Sequence, residues 1–117
     1  MQKVSIVTLG CPKNQADSEL IKGLLMERGY SYEQDPALAD IIVVNTCCFI
    51  EDAKRESINT LLEMAQYKIT GRCRLLVASG CLAQRYGKEL MREMPEIDVL
   101  LGTTSFPEII EAISQAA

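Results

Sequence analysis

Apolar residues follow two rhythms along the chain. Lys3 to Leu9, Ile41 to Asn45, Arg74 to Ser79 and Val99 to Gly102 are short runs rich in valine, isoleucine and leucine, with the length and composition of buried strands. Between them apolar positions recur at three- and four-residue spacing, which predicts helices. The first helix is predicted from Asp17-Ser18, both good N-caps, with Leu20, Ile21, Leu24 and Leu25 inward and Arg28-Gly29 at its end. The loop Gly10-Cys11-Pro12-Lys13-Asn14 precedes it. The second helix is predicted from Glu51 to about Lys68, with Ile58, Leu61, Leu62, Ala65 and Ile69 on one face and Gly71 closing it. The third runs from Ala83 to Met94, carries Tyr86, Leu90 and Met94, and stops at Pro95.

Two weaker signals complete the alternation. Tyr30 to Glu33 reads as a short edge strand before the turn at Asp35-Pro36. Ser105-Phe106-Pro107-Glu108 reads as a capping box for a last helix with Ile109, Ile110 and Ile113 on its inner face. Strand and helix alternate about five times, which predicts an α/β fold: a doubly wound, mostly parallel sheet of about five strands with helices on both faces, Rossmann- or flavodoxin-like.

Composition narrows the function. At 117 residues and 48% hydrophobic content, the chain is sized for one domain with a full core. The net charge of -4 and the scattered lysines and arginines argue against direct nucleic-acid binding. No run approaches the roughly 20 apolar residues of a membrane helix, and a strand pattern starts at once instead of a signal peptide, so the expected location is the cytoplasm. Five cysteines, an odd number without a secretory signal, favour metal or redox chemistry over a disulfide framework. Histidine is absent, which leaves thiolates as the only soft ligands.

Three of the five cysteines occupy equivalent places. Cys11, Cys47 and Cys81 each follow a predicted strand and precede a predicted helix. In a parallel sheet the carboxyl ends of the strands share one edge, where ligands bind, so these thiols are expected to converge there. The following helix N-termini favour negative charge and hence thiolate. Soft sulfur ligands facing one pocket suit an iron-sulfur cluster. Any one cysteine taken alone is more often a small buried hydrophobe. That reading holds for Cys73, which precedes its strand and is expected at the opposite end of the sheet. Cys48 adjoins Cys47, and of two neighbours in extended backbone only one points into a shared pocket. Zinc is disfavoured by the lack of closely spaced cysteine pairs, and neither G-x-G-x-x-G nor a P-loop is present for a nucleotide. Gly10 and Gly80 are expected to let the backbone pass close to whatever the cysteines hold. Lys13, Lys54, Arg55 and Arg85 would offset an anionic cluster or simply face solvent. Two rivals to the cluster remain at this level: a metal-free thiol redox or sulfur-carrier module using Cys47 and Cys48, and a bare interaction domain with cysteines as filler.

Several separated motifs, in order, carry a family resemblance. Thr8-Leu9-Gly10-Cys11-Pro12-Lys13-Asn14 with Asp17-Ser18-Glu19, Asn45-Thr46-Cys47 with Phe49-Ile50 and Ala53-Lys54, Glu56-Ser57-Ile58, and Gly80-Cys81-Leu82 with Gln84-Arg85-Tyr86 resemble the N-terminal domain of the radical-SAM methylthiotransferases. The Cys-Pro-Lys-Asn form is similar to the RimO branch, which modifies an aspartate of a small-subunit ribosomal protein; the sister MiaB branch modifies adenosine in tRNA. The resemblance implies that Cys11, Cys47 and Cys81 hold a 4Fe-4S cluster with one iron open to a sulfur species. Position 48, usually glycine in that family, is Cys48 here. The family's Cys-x-x-x-Cys-x-x-Cys motif, for a second 4Fe-4S cluster and S-adenosylmethionine, is absent from these residues. Residues 1–117 are therefore expected to be the iron-sulfur domain alone, inactive by itself, with the radical-SAM core and the C-terminal substrate-binding domain as partners elsewhere in the polypeptide.

Overall fold

The computed structural model describes residues 3–9, 12–46 and 51–101 together with Glu111, Ile113 and Gln115, without the side chains of residues 12–14, 51–54, 81–84 and 101. The elements run β1 (Lys3–Thr8), α1 (Pro12–Glu27), β2 (Ser31–Tyr32), β3 (Ile41–Thr46), α2 (Glu51–Ala65), α3 (Tyr67–Thr70), β4 (Leu75–Gly80), α4 (Cys81–Glu93) and β5 (Val99–Leu101). The five strands form one sheet in the order β2-β1-β3-β4-β5, and every pairing is parallel. This is the expected doubly wound fold.

The sheet is covered on both faces because its central strands are apolar on both. All six residues of β3 and all six of β4 are buried. Ile42, Val44, Leu76 and Ala78 point to one face, where α2 supplies Leu61, Met64 and Ala65, and α4 supplies Leu90. Val4, Ile41, Val43, Leu75 and Val77 point to the other, against Ile21 and Leu25 of α1 and Ile113. Alternate residues of one strand thus serve two separate cores. From β1 the chain moves outward through α1 to β2, then crosses back past β1 to β3 and proceeds the other way. The strand order reverses between β1 and β3, and that crevice is the topological switch point.

The amino ends of the strands are tied by polar groups. The Asp40 carboxylate accepts from the backbone N–H of Lys3 at 3.0 Å, and its carbonyl accepts from Arg74 N–H at 2.8 Å. The Asp98 carboxylate accepts from Leu76 N–H at 2.9 Å and pairs with Lys68, which also donates to the Glu96 carbonyl at 2.8 Å. Asp35 caps a single 3-10 turn, Pro36–Leu38, by accepting from Ala37 N–H at 3.0 Å.

Three predicted boundaries differ. α1 begins at Pro12 rather than Asp17, because proline lacks only an N–H that the first helical turn leaves unbonded anyway. Ser18 is therefore inside a helix instead of capping one. The second predicted helix breaks at Gln66, whose carbonyl accepts from both Ile69 and Thr70 N–H as the short α3 starts. Leu62 and Ile69 face outward, at 49% and 80% exposure, while Ser57 and Met64 lie inside. α4 begins at Cys81, two residues early, and bends at Tyr86 (φ -120°, ψ 24°). β2 lies at the edge as expected, and Ile113 is helical and fully buried. The predicted capping box, with Ile109 and Ile110, lies outside the described residues.

Leu61 and Leu62, both placed on the inner face by spacing, part in the structure: Leu61 is fully buried and Leu62 is exposed. Leu61→Ala is expected to cost about 2–5 kcal/mol, the range for an emptied core position. Leu62→Ala is expected to stay within about 0.5 kcal/mol, as for surface changes. Urea unfolding of the two variants measures both.

Candidate functional site at the carboxyl edge of the sheet

β1, β3 and β4 lie side by side and end almost level. Thr8 is opposite Asn45, Asn45 opposite Ser79, and Thr46 opposite Gly80. One further hydrogen bond, from Leu9 N–H to the Asn45 carbonyl at 3.1 Å, carries the β1–β3 pairing past the strand end. Cys11 follows Leu9 by two positions, Cys47 follows Thr46 directly, and Cys81 follows Gly80 directly as the first residue of α4. Cys11, Cys47 and Cys48 themselves lie outside the described residues, and of Cys81 only the backbone is described. The structure thus brings together the three strand ends that lead into the predicted ligands. The first turn of α4, which Cys81 opens, carries partial positive charge from its unbonded N–H groups.

Buried polar side chains hold this edge. Ser18 of α1, 7% exposed, accepts from the Thr8 hydroxyl at 2.7 Å and from the Asn45 carboxamide N–H at 3.1 Å. The Thr46 hydroxyl donates to the Ser79 carbonyl at 2.6 Å. Each such bond contributes about 1 kcal/mol, and an unmet one costs about 1–3 kcal/mol. Among the described residues no buried side-chain nitrogen or oxygen lacks a partner, so the network is closed. An open cleft of about 450 Å³ adjoins it, lined by Thr8, Gln15, Ala16, Ser18 and Glu19.

Gly80 fits the third strand end against the second. Its φ of 97° is one that side-chain-bearing residues rarely adopt, and a Cβ there would lie 2.5 Å from the Thr46 carbonyl oxygen and 2.7 Å from Asn45 Oδ1. The space that its missing side chain leaves is thus taken by β3.

Cys73 precedes β4 at the opposite end of the sheet, is 5% exposed, and its thiol donates to the Leu75 carbonyl at 3.3 Å. Burial pushes that thiol above the usual range and so favours the protonated form, against smaller pulls from the backbone hydrogen bond with Leu75 and then the Lys68 charge. Arg55 and Arg85 are exposed, and Arg85 lies 5.8 Å from the centre of the Tyr86 ring. The side chains of Lys13 and Lys54 lie outside the described residues. Among the described residues no three carboxylates or cysteines gather as a metal site. Sequence reasoning missed Thr8, Ser18, Asn45 and Ser79 as parts of the site. The available signal was an asparagine and a threonine directly after Ile41-Ile42-Val43-Val44, too polar for a strand buried on both sides unless they have a partner.

Gly29 provides the comparison for Gly80. It has nearly the same φ, 95°, but a Cβ added there would meet nothing within 4 Å. Gly29→Ala is expected to cost about 1 kcal/mol for the backbone alone. Gly80→Ala is expected to cost about 3 kcal/mol, since overpacking adds to backbone strain. Equal losses in urea unfolding would mean that β3 and β4 separate freely at this edge.

Residues 3–102 match the family described as Uncharacterized protein family UPF0004. The chain is 55% identical over 115 residues to the ribosomal protein uS12 methylthiotransferase RimO of Desulfitobacterium hafniense, a match spanning 98% of this chain and 26% of that protein. The protein of the same name from Lachnoclostridium phytofermentans is 55% identical over 113 residues, 97% of this chain and 26% of its own length. That of Geobacter sulfurreducens is 53% identical over 114 residues, with 97% and 26% covered. The chain therefore spans about a quarter of the length of these relatives. With the family match covering β1 through β5, this chain belongs to the UPF0004 family.

Proposed function

We propose that residues 1–117 form the N-terminal iron-sulfur domain of a radical-SAM methylthiotransferase acting on an aspartate of ribosomal protein uS12. The observation that carries this reading is the level alignment of the three strand ends before Cys11, Cys47 and Cys81 at the topological switch point. Identity of 55% to relatives named for that activity supports the substrate. The donor chemistry also fits: the chain has no histidine, and thiolates are the usual ligands of such clusters.

In this reading Cys11, Cys47 and Cys81 hold a 4Fe-4S cluster. With three protein thiolates, such a cluster supplies one iron position open to an exogenous sulfur donor. The chain's own contribution is to anchor the three ligand segments. β3 and β4, buried along their whole length, give them a rigid and dry base. α4 stabilises the Cys81 thiolate through its N-terminal N–H groups, and Gly80 allows that segment to close on β3. A second 4Fe-4S cluster and S-adenosylmethionine belong to the radical-SAM core, outside these residues. A ribosomal protein as substrate supports a cytoplasmic location in this reading. Among the described residues no helix is long and apolar enough to cross a membrane.

Anaerobic reconstitution with iron and sulfide, followed by analysis of both, tests the ligand set. Cys11→Ala, Cys47→Ala and Cys81→Ala are each expected to lose the cluster, and Cys73→Ala to keep it. A cluster that survives Cys47→Ala, or is lost with Cys73→Ala, contradicts the assignment. Thiols of lowered pKa with no iron uptake at all would favour a metal-free sulfur carrier.

Substrate choice is read on the full-length polypeptide supplied with S-adenosylmethionine. Mass spectrometry is expected to find a methylthio group on an aspartate of uS12 and none on tRNA adenosine. The reverse result would move the chain to the tRNA-modifying branch.

A further inference from the structure

A buried asparagine in a strand of isoleucine and valine calls for a reason. β3 reads Ile-Ile-Val-Val-Asn-Thr, and an apolar residue at position 45 would satisfy both the strand and the core without any partner. Asn45 instead lies 2% exposed and reaches two neighbouring chain segments. Its carboxamide N–H donates to Ser18 of α1 at 3.1 Å. Its oxygen lies over Gly80 of β4, 2.7 Å from where a Cβ would be.

Those contacts fall on the segments that carry the cysteines. Asn45 is two residues before Cys47, and Gly80 one before Cys81. Thr8 and Ser18, joined by a 2.7 Å hydrogen bond, flank Cys11 in sequence. A single side chain therefore meets the supports of all three ligand segments, and the Ser18 hydroxyl, taking bonds from Thr8 and Asn45 together, locks α1 to both strands. Ligands held at fixed spacing lose little freedom on binding a rigid inorganic core, and ligands on loose supports lose more.

We propose that Asn45 and Ser18 are a positioning pair for the iron-sulfur centre, setting the spacing of the Cys11, Cys47 and Cys81 segments and thereby how firmly the cluster is held. This rests on the cluster reading above. It goes beyond it by assigning a role to two residues that are not ligands, in a closed hydrogen-bond network.

The test compares cluster retention with fold stability in the same chain. Ser18→Ala and Asn45→Asp, the second nearly isosteric but without the N–H donor, are reconstituted anaerobically beside the unaltered chain and Ser18→Thr. Met64→Ala is the control, a buried α2 residue in the core whose loss lowers stability without touching the network. Melting temperatures are measured on the metal-free forms, and iron release to a chelator and the cluster's reduction potential on the loaded forms. Ser18→Ala and Asn45→Asp are expected to release iron about tenfold faster, the low end for groups that orient metal ligands, with a displaced potential. Met64→Ala is expected to release it at the original rate despite an equal or larger loss in melting temperature, and Ser18→Thr to retain the slow rate. Release that merely follows melting temperature across all variants overturns the positioning role. Should Ser18→Ala not fold, Asn45→Asp against Met64→Ala decides by the same comparison. If the unaltered chain takes up no iron, the cluster reading itself falls, and this proposal with it.

Discussion

Everything at the carboxyl edge depends on the in-register parallel pairing of β1 and β4 to the two sides of β3. Parallel strands joined by crossover helices all point the same way, so residues far apart in sequence end at one level. Here that level is set by Thr8 opposite Asn45 and Thr46 opposite Gly80. A slip of one residue in β3 would exchange its two faces, moving Ile42 and Val44 into the core that now holds Ile41 and Val43. Because both faces are packed tightly by different helices, that slip is opposed along the whole strand. The register of the site is thus fixed by apolar contacts well away from it.

This division of labour explains what was legible beforehand. Strand positions and the parallel arrangement followed from Ile41-Ile42-Val43-Val44 and Leu75-Leu76-Val77, runs that only burial on two sides accounts for. The inner faces of the helices were less legible. Spacing selects Leu62 and Ile69 as readily as Leu61 and Ala65, yet only the second pair is buried, and no proline or glycine marks the break at Gln66. Pro12 misled in the other direction, since a proline that ends a helix in its interior opens one at its first turn.

The three strand ends of the candidate site were legible, and the side chains that support them were not. Cysteines after strands stand out because soft ligands are few in a chain without histidine. Ser18 and Asn45 do not stand out, because serine and asparagine are ordinary at caps and turns, and only the tertiary fold brings a residue inside α1 against one at the end of β3. The polar network belongs to pairs distant in sequence, which no local pattern encodes.

β4 states the same point within one strand. Cys73 precedes it and Cys81 follows it, two thiols separated by a single buried element. At the amino end, Cys73 is enclosed by core side chains, bonded to the Leu75 carbonyl, and held in its protonated form by desolvation. At the carboxyl end, Cys81 is anchored at the start of α4, where unbonded N–H groups favour an anion. Residue type is identical, so the surroundings are decided by which end of a parallel strand the residue occupies. A fold that gathers helix N-termini at one edge offers positions that favour negative charge there, and leaves a cysteine at the other edge packed in the core.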